Sequence, residues 1–342
     1  MSDWDDLLTV WDEFFWDAPD APVLPPFQRK KTNRRTMSSN PTPDNNDVLR
    51  ALADRIADGC HTYEVAIGIK QNNEAAIRAA IAALTTAELQ VGLKKQAVDA
   101  ASTALQAADD AGAETLTNSK LRLAQKLGQR WSAAWEPTGF PNQSTAVPGS
   151  ADARFTLLGD LKEYFTAVPA NASAEMGATA ATCGATWTAL SNARQAEADA
   201  DSAQTVAFNN RAGAVDGLRR RVRGLINELG DLTTDDDPRW EAFGLNIPAN
   251  PSAPEPVASV TAAALGNGRI EAGCPYATRA VRYRVETFIM AVDTEWQNKG
   301  SFKDLETILK GFTAAQIVKV RVIAGNDGGD AAPSPEAQVV VT

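Results

Sequence analysis

One histidine and three cysteines in 342 residues leave little material for metal ligation or nucleophilic catalysis. Cys60, Cys183 and Cys274 are widely separated, form no CxxC pair and have no companion histidines. That excludes a zinc knuckle and a thioredoxin-like motif, and the odd count excludes a complete disulfide framework. Cys60 and His61 are adjacent, but neighbours on a helix point about 100° apart and do not face each other, so no catalytic dyad is expected. No run approaches the ~20 apolar residues that span a bilayer, so membrane insertion is not expected. Met1 leads into Ser-Asp-Trp-Asp-Asp, the reverse of a basic leader, and no ordinary signal peptide is expected. A cell-surface appendage or a virion reached by a leaderless route fits this, as does the cytoplasm. Basic residues are outnumbered, 33 against 43 acids, and the net charge of -10 argues against nucleic-acid or anionic-membrane partners. Gly266-Asn-Gly268 and the glycines at 325–329 lack the strand–loop–helix context of a phosphate loop. The acids Asp235–Asp237, Asp327 and Asp330 lack the alternating oxygen ligands of a calcium loop. No cofactor and no enzymatic activity are expected.

What is present is ample apolar material, 44% of residues, enough for a real core. Composition shifts divide the chain into an arm over 1–46, an alanine-rich helical region over 47–248 and a valine-rich region over 249–342.

The arm is built of three unlike pieces. Trp4, Leu7, Leu8, Trp11, Phe14 and Phe15 recur at three- and four-residue steps, the apolar stripe of a helix, with Trp16 at its end. Asp3, Asp5, Asp6, Asp12, Glu13, Asp17 and Asp20 place seven acids there and no base. Pro-Val-Leu-Pro-Pro-Phe cannot propagate a helix and reads as extended. Arg29, Lys30, Lys31, Arg34 and Arg35 form a basic cluster ahead of a polar linker. Fixing sixteen residues costs about 16–32 kcal/mol of backbone entropy. Burying eight apolar side chains, Val10 included, returns about 16–24 kcal/mol. Such a helix is ordered only where a groove takes nearly all of its apolar face. The twelve residues of stripe and basic cluster are therefore the expected interface, acting on a neighbouring copy.

In the helical region, Thr42-Pro-Asp-Asn-Asn-Asp reads as a capped start with proline in the first turn, and Asn72-Asn73-Glu74 as a second start. Ile77, Leu84, Val91, Val98 and Leu105 recur every seven residues, with alanines three residues on and Lys94 breaking that row, a coiled-coil seam. Val215, Leu218, Val222, Leu225 and Leu229 make a second. Periodicity leaves open whether the rods fold back as hairpins or run on as one. A faint repeat favours hairpins: Leu84 matches Leu190, and Arg130-Trp131 with Gly139-Phe140 matches Arg239-Trp240 with Gly244-Leu245. Two similar units are expected, each closed by an aromatic plug that includes Trp131, Trp135, Trp187 or Trp240. Asp237 and Pro238 read as a helix cap and first turn, and Arg219–Arg223 as a solvated face.

Residues 256–342 alternate apolar and polar over Val257–Leu265, Arg269–Cys274, Val281–Met290, Leu305–Phe312, Ile317–Ala324 and Ala337–Val341, the pattern of an antiparallel sandwich. Turns are expected at Gly266–Gly268, Asn298–Gly300 and Asn326–Gly329. Prolines 248, 251, 254 and 256 suggest a linker that few contacts cross. Pro254-Glu-Pro-Val257, Arg282-Tyr-Arg-Val285 and Val320-Arg-Val-Ile-Ala324-Gly-Asn326 followed by Pro333-Ser334 resemble a fibronectin type III domain. The core tryptophan of that family falls on Cys274 here and its corner tyrosine on Val318. The helical half, with Arg239-Trp-Glu-Ala-Phe-Gly-Leu-Asn246, is similar to uncharacterised bacterial proteins with the same domain order, and that resemblance implies no activity. The expected fold class is mainly α plus a β domain: a long antiparallel helical bundle or coiled-coil rod, then a fibronectin type III-like β-sandwich. The expected function is a structural subunit of a homomeric assembly. The alternative is an adhesion or adaptor module that binds a different protein or a glycan through the sandwich loops or the arm.

Overall fold

The computed structural model describes residues 40–342. The helical region contains α1 (Asn46–Ile67), α2 (Glu74–Leu127), α3 (Ala151–Ala167) and α4 (Ala180–Leu232). Short polar side chains start each one: Asn45 accepts from Asp47 N and Val48 N, Asn73 from Ala76 N, Ser150 from Ala153 N and Thr179 from Thr182 N. Pro43 lies ahead of the first cap instead of inside the first turn, because Asn45 offers its side chain directly to the first free N–H groups.

The long helices α2 and α4 pack antiparallel, which settles the hairpin question. Ile77 and Leu84, early in α2, share a core with Val215, Leu218, Val222, Leu225 and Leu229, late in α4. Leu116 and Leu123, late in α2, share one with Cys183 and Leu190, early in α4. The 54 residues of α2 make a rod about 80 Å long. Its seam is sealed only at the ends. Ile77, Leu84, Leu116 and Leu123 are fully buried, whereas Val91, Val98 and Leu105 are half-buried. Short helices supply the difference: α1 covers one end of the pair and α3 the other. α1 is tied down by ion pairs Arg50–Glu88 and Arg78–Asp58, α3 by Arg154 on Asp109 and Arg194 on Asp152.

The order of elements recurs in a register that differs from the sequence match. A short helix, a long helix and a 3-10 turn recur: Asn46 answers to Ala151, Glu74 to Ala180, and Ala133–Thr138 to Pro238–Phe243, at an offset of 105–106 residues. The partner of Trp240 is therefore Trp135, not Trp131. Both are fully buried, and both indole N–H groups donate at 3.1 Å to a carbonyl at the end of the preceding long helix, Gly128 and Thr234. Each turn then ends on a left-handed glycine, Gly139 or Gly244. Trp131 is only half-buried, and Trp187 stacks on Phe155 at 5.0 Å near the surface. Asp237 caps its 3-10 turn with Pro238 in the first position, as expected.

The α1–α2 connection is latched by one carboxylate. Glu228 of α4 accepts from the backbone N–H groups of Lys70, Gln71 and Asn72 and from the Asn72 side chain, at 2.6–3.1 Å. Burial alone would raise this carboxyl, but the four donors outweigh it and hold it below its ordinary value of 4.5. A depressed folded-state value stabilises the fold above the unfolded value and loses that contribution as pH falls through the folded one. Glu228→Gln should therefore cost about 1–2 kcal/mol at pH 7, after discounting for partial exposure. The gap between parent and variant should narrow as pH falls below 4.5 and close once it passes the lower folded-state value. Urea melts at pH 7 and pH 3.5 measure both, and a pH-independent gap would refute the latch.

The C-terminal region is a two-sheet β-sandwich of β1 (Thr261–Gly266), β2 (Arg269–Gly273), β3 (Arg282–Ile289), β4 (Gln297–Phe302), β5 (Glu306–Lys310), β6 (Ile317–Asn326), β7 (Gly329–Asp330) and β8 (Ala337–Val340). One sheet has the order β1-β2-β5. The other runs β4-β3-β6-β7, with β8 also on β6, and all pairs are antiparallel. This is a fibronectin type III-like arrangement. Val285, Val318, Val320 and Val322 alternate into its core with Ile270, Leu309 and Tyr283. The expected turn at Asn298–Gly300 is instead part of edge strand β4. Its polar residues carry no alternation to read, since five of six are exposed, and Gly300 sits at a bulge with φ 115°. Val318 fills the corner position fully buried, and Cys274 is half-buried.

Candidate interaction surface

Trp4, Leu7, Leu8, Trp11, Phe14, Phe15, Trp16, Arg29, Lys30, Lys31, Arg34 and Arg35 all lie outside the described residues. The structure does show where their chain is rooted. Asn40 is buried, donates from Nδ2 to the Asn246 carbonyl at 2.9 Å and accepts from Asn246 N at 2.6 Å. Asn246 follows the Trp240 turn, and its Oδ1 accepts from Asn326 Nδ2 of β6 at 3.1 Å. Asn326 also donates to the carbonyls of Ser252 and Arg279 and accepts from Gly328 N. Three buried asparagines thus join arm, bundle and sandwich at one point, each paired as a buried amide must be. Arg279–Glu241 at 3.3 Å and Asn45–Asp304 at 2.9 Å brace the same junction. The proline-rich linker is consequently packed, contrary to the expectation of few contacts: the Ser252 hydroxyl reaches Glu241, and Gly328 lies against the backbone of Pro251 and Ser252. Asparagines 40 and 246 gave no periodic signal. Asn326 stood in the fibronectin-like motif, but its role here is to hold the bundle.

Beside this root is an open cavity of about 510 Å³, lined by Asn45, Asp47, Thr261, Cys274, Asp304 and Glu306. Its charge is negative. The basic stretch at 29–35 is five residues from Asn40, a contour of at most about 18 Å. The arginine run of α4 is less free than a solvated face: Arg219 donates to the Asp44 carbonyl and Arg221 to that of Gln71 at 3.1 Å, pinning α4 to both ends of α1.

Residues with chemical potential are held in structural roles. Cys60 is fully buried with Sγ 3.6 Å from the Asn72 carbonyl, and burial pushes its thiol up to about 12. His61 points to solvent and pairs with Glu74 at 2.9 Å. A neutral, enclosed thiol is neither nucleophile nor ligand at pH 7. His61→Ala should leave any hydrolytic or redox turnover of the preparation unchanged. Loss of turnover in a folded variant, tested with ester and thiol-exchange substrates, would overturn this. Cys274 is likewise pushed up to about 12 by burial. Among the described residues no cluster of three or more His, Cys, Asp or Glu side chains is placed to hold a metal ion. Asp330 is committed to Arg284 and Arg282, which hold its carboxyl below the usual range.

The solvent face of the larger sheet carries a second feature. Arg321 lies 4.2 Å above the Trp296 ring while its guanidinium bonds Glu286, and Phe288 flanks Trp296 at 5.8 Å. The adjoining β3–β4 loop exposes Met290 and Val292 around Ala291, whose φ of 62° is costly for a residue with a Cβ.

No family model matches the chain, and no curated protein matches it. Solved structures with fibronectin type III domains match over the C-terminal quarter. Titin kinase and its flanking domains is 18% identical over 27% of this chain and 18% of that one, TM-score 0.25. FN3tt mut is 15% identical over 27% and 100%, TM-score 0.24. The FN5 domain of Drosophila Lar is 18% identical over 26% and 96%, TM-score 0.23. The chain thus spans under a fifth of the titin kinase structure.

Proposed function

We propose that this chain is a non-enzymatic structural subunit of a homomeric assembly, a filament, surface coat or virion component, in which the N-terminal arm docks onto a neighbouring subunit. The observation that carries this is the buried Asn40–Asn246–Asn326 cluster. It ties the root of the arm, Asn40, to the meeting point of bundle and sandwich, so the arm leaves every copy from the same place, which suits an exchanged segment. The arm itself supplies an aromatic stripe, seven acids and then five bases, which can pair acid against base between copies. Light scattering on the purified chain tests the reading: a mass several times the monomer supports it, and a monomer at all concentrations overturns it. The second reading, an adhesion or adaptor module, draws on the Trp296–Phe288–Arg321 surface, which suits a protein or glycan partner.

A further inference from the structure

The end of the rod that carries α1 has one uncovered side. An open cavity of about 580 Å³ is lined there by Ala76, Ala79 and Ala80 of α2 and by Gly217, Arg220 and Arg221 of α4, with no residue of α1. Its floor is unusually small and its edge is basic. An 18-residue stretch of α2 has mean hydropathy 1.2, yet only 11% of it is buried, so this helix presents apolar surface that the other described residues leave largely uncovered.

The glycines give a separate reason to place a partner here. Glycine inside a helix is unfavourable relative to alanine and persists where packing demands it. At Gly59 a Cβ would come within 2.6 Å of Phe243, and at Gly224 within 2.8 Å of Asn72, so both are explained by the chain's own packing. At Gly213 and Gly217, one turn apart on α4, a Cβ would meet nothing within 4 Å. No described residue requires glycine at either position. Small residues on a helix surface allow a second helix to approach closely, and no described helix lies against these two.

We propose that this floor receives residues 3–17 of a second copy of this chain. The inference rests on the assembly reading and names the receiving site. Three properties of that segment fit. It carries Trp4, Trp11 and Phe15 at helical spacing, rings that suit a floor of alanine and glycine with Asn72 at its margin. It carries acids and no base, facing an edge formed by Arg220 and Arg221 within the run Arg219–Arg223. It is joined to Asn40 by 22 residues, a contour of at most about 80 Å, enough to leave its own subunit.

The test uses the full chain with a photo-reactive phenylalanine analogue replacing Phe14, prepared as a mixture of isotopically heavy and light protein. Cross-links joining heavy to light chains within residues 76–83 or 213–221 are the expected result. Gly217→Leu should abolish them while leaving the helical melting temperature equal to or above the parent's, since a leucine there fills open space and favours the helix. Arg220→Glu should reduce them at least fivefold, with Arg221 left in place because it holds the Gln71 carbonyl. Intermolecular cross-links that fall elsewhere overturn this site and leave the assembly reading standing. Cross-links confined to single chains, with a monomeric mass, overturn both.

Discussion

Deleting residues 1–35 should convert the assembly to monomers while leaving the helical and β circular dichroism of the remaining chain intact. The described core does not depend on that segment: the three apolar clusters, the Glu228 latch and the asparagine junction are all made by residues from 40 onward. Within the arm the rings should matter most. Trp11→Ala and Phe15→Ala should weaken association more than charge reversal at Arg34, since central aromatic anchors carry most of an interface's energy, about 2 kcal/mol or more each. Raised salt should weaken it only partly, because exposed charges are screened within about 8–10 Å whereas buried rings are not. The decisive measurement is the mass of full-length and deleted protein at equal concentration. Equal monomeric masses would move the arm to an intramolecular role or a different partner and favour the adaptor reading.

The largest effect on stability should come from the two plugs. Trp240 is fully buried against the core that joins α1 to the paired long helices, and its removal takes away one of the two donors to the Thr234 carbonyl, which also accepts from Asp237 N, as well as opening a cavity. Trp240→Ala should cost about 3–5 kcal/mol, a large share of the 5–15 kcal/mol that a domain has. Trp135→Ala should cost a similar amount at the opposite end of the rod, where Phe140 meets it edge-on at 5.4 Å. Trp131→Ala, at a half-buried position, should cost about 1–2 kcal/mol. Denaturant melts of the three variants check the register directly. If Trp131 proves as costly as Trp240 and Trp135 does not, the 105-residue offset is wrong.

The sandwich and the helices were legible because their information is local. Alternation at period two marks a strand with one buried face, and apolar steps of three and four mark a helix with a buried stripe. The caps at Asn73 and Asp237 were equally local, one side chain answering an N–H two or three residues away. Edge strand β4 was not legible, because Gln297-Asn-Lys-Gly-Ser buries almost nothing and so leaves no pattern.

The sequence by itself determined the class of fold, the long helices and the strands, and the segregation of aromatic, acidic and basic pieces in the arm. Tertiary structure alone decided how these parts meet. The antiparallel pairing of α2 with α4, the partnership of Trp135 with Trp240, the Glu228 latch 156–158 residues from its donors and the Asn40–Asn246 bond spanning 206 residues depend on contacts between distant positions. The reason is physical: a period records which side of an element is buried, whereas a long-range hydrogen bond or an open glycine floor is defined by the neighbour, and no spacing within the chain records which neighbour that is.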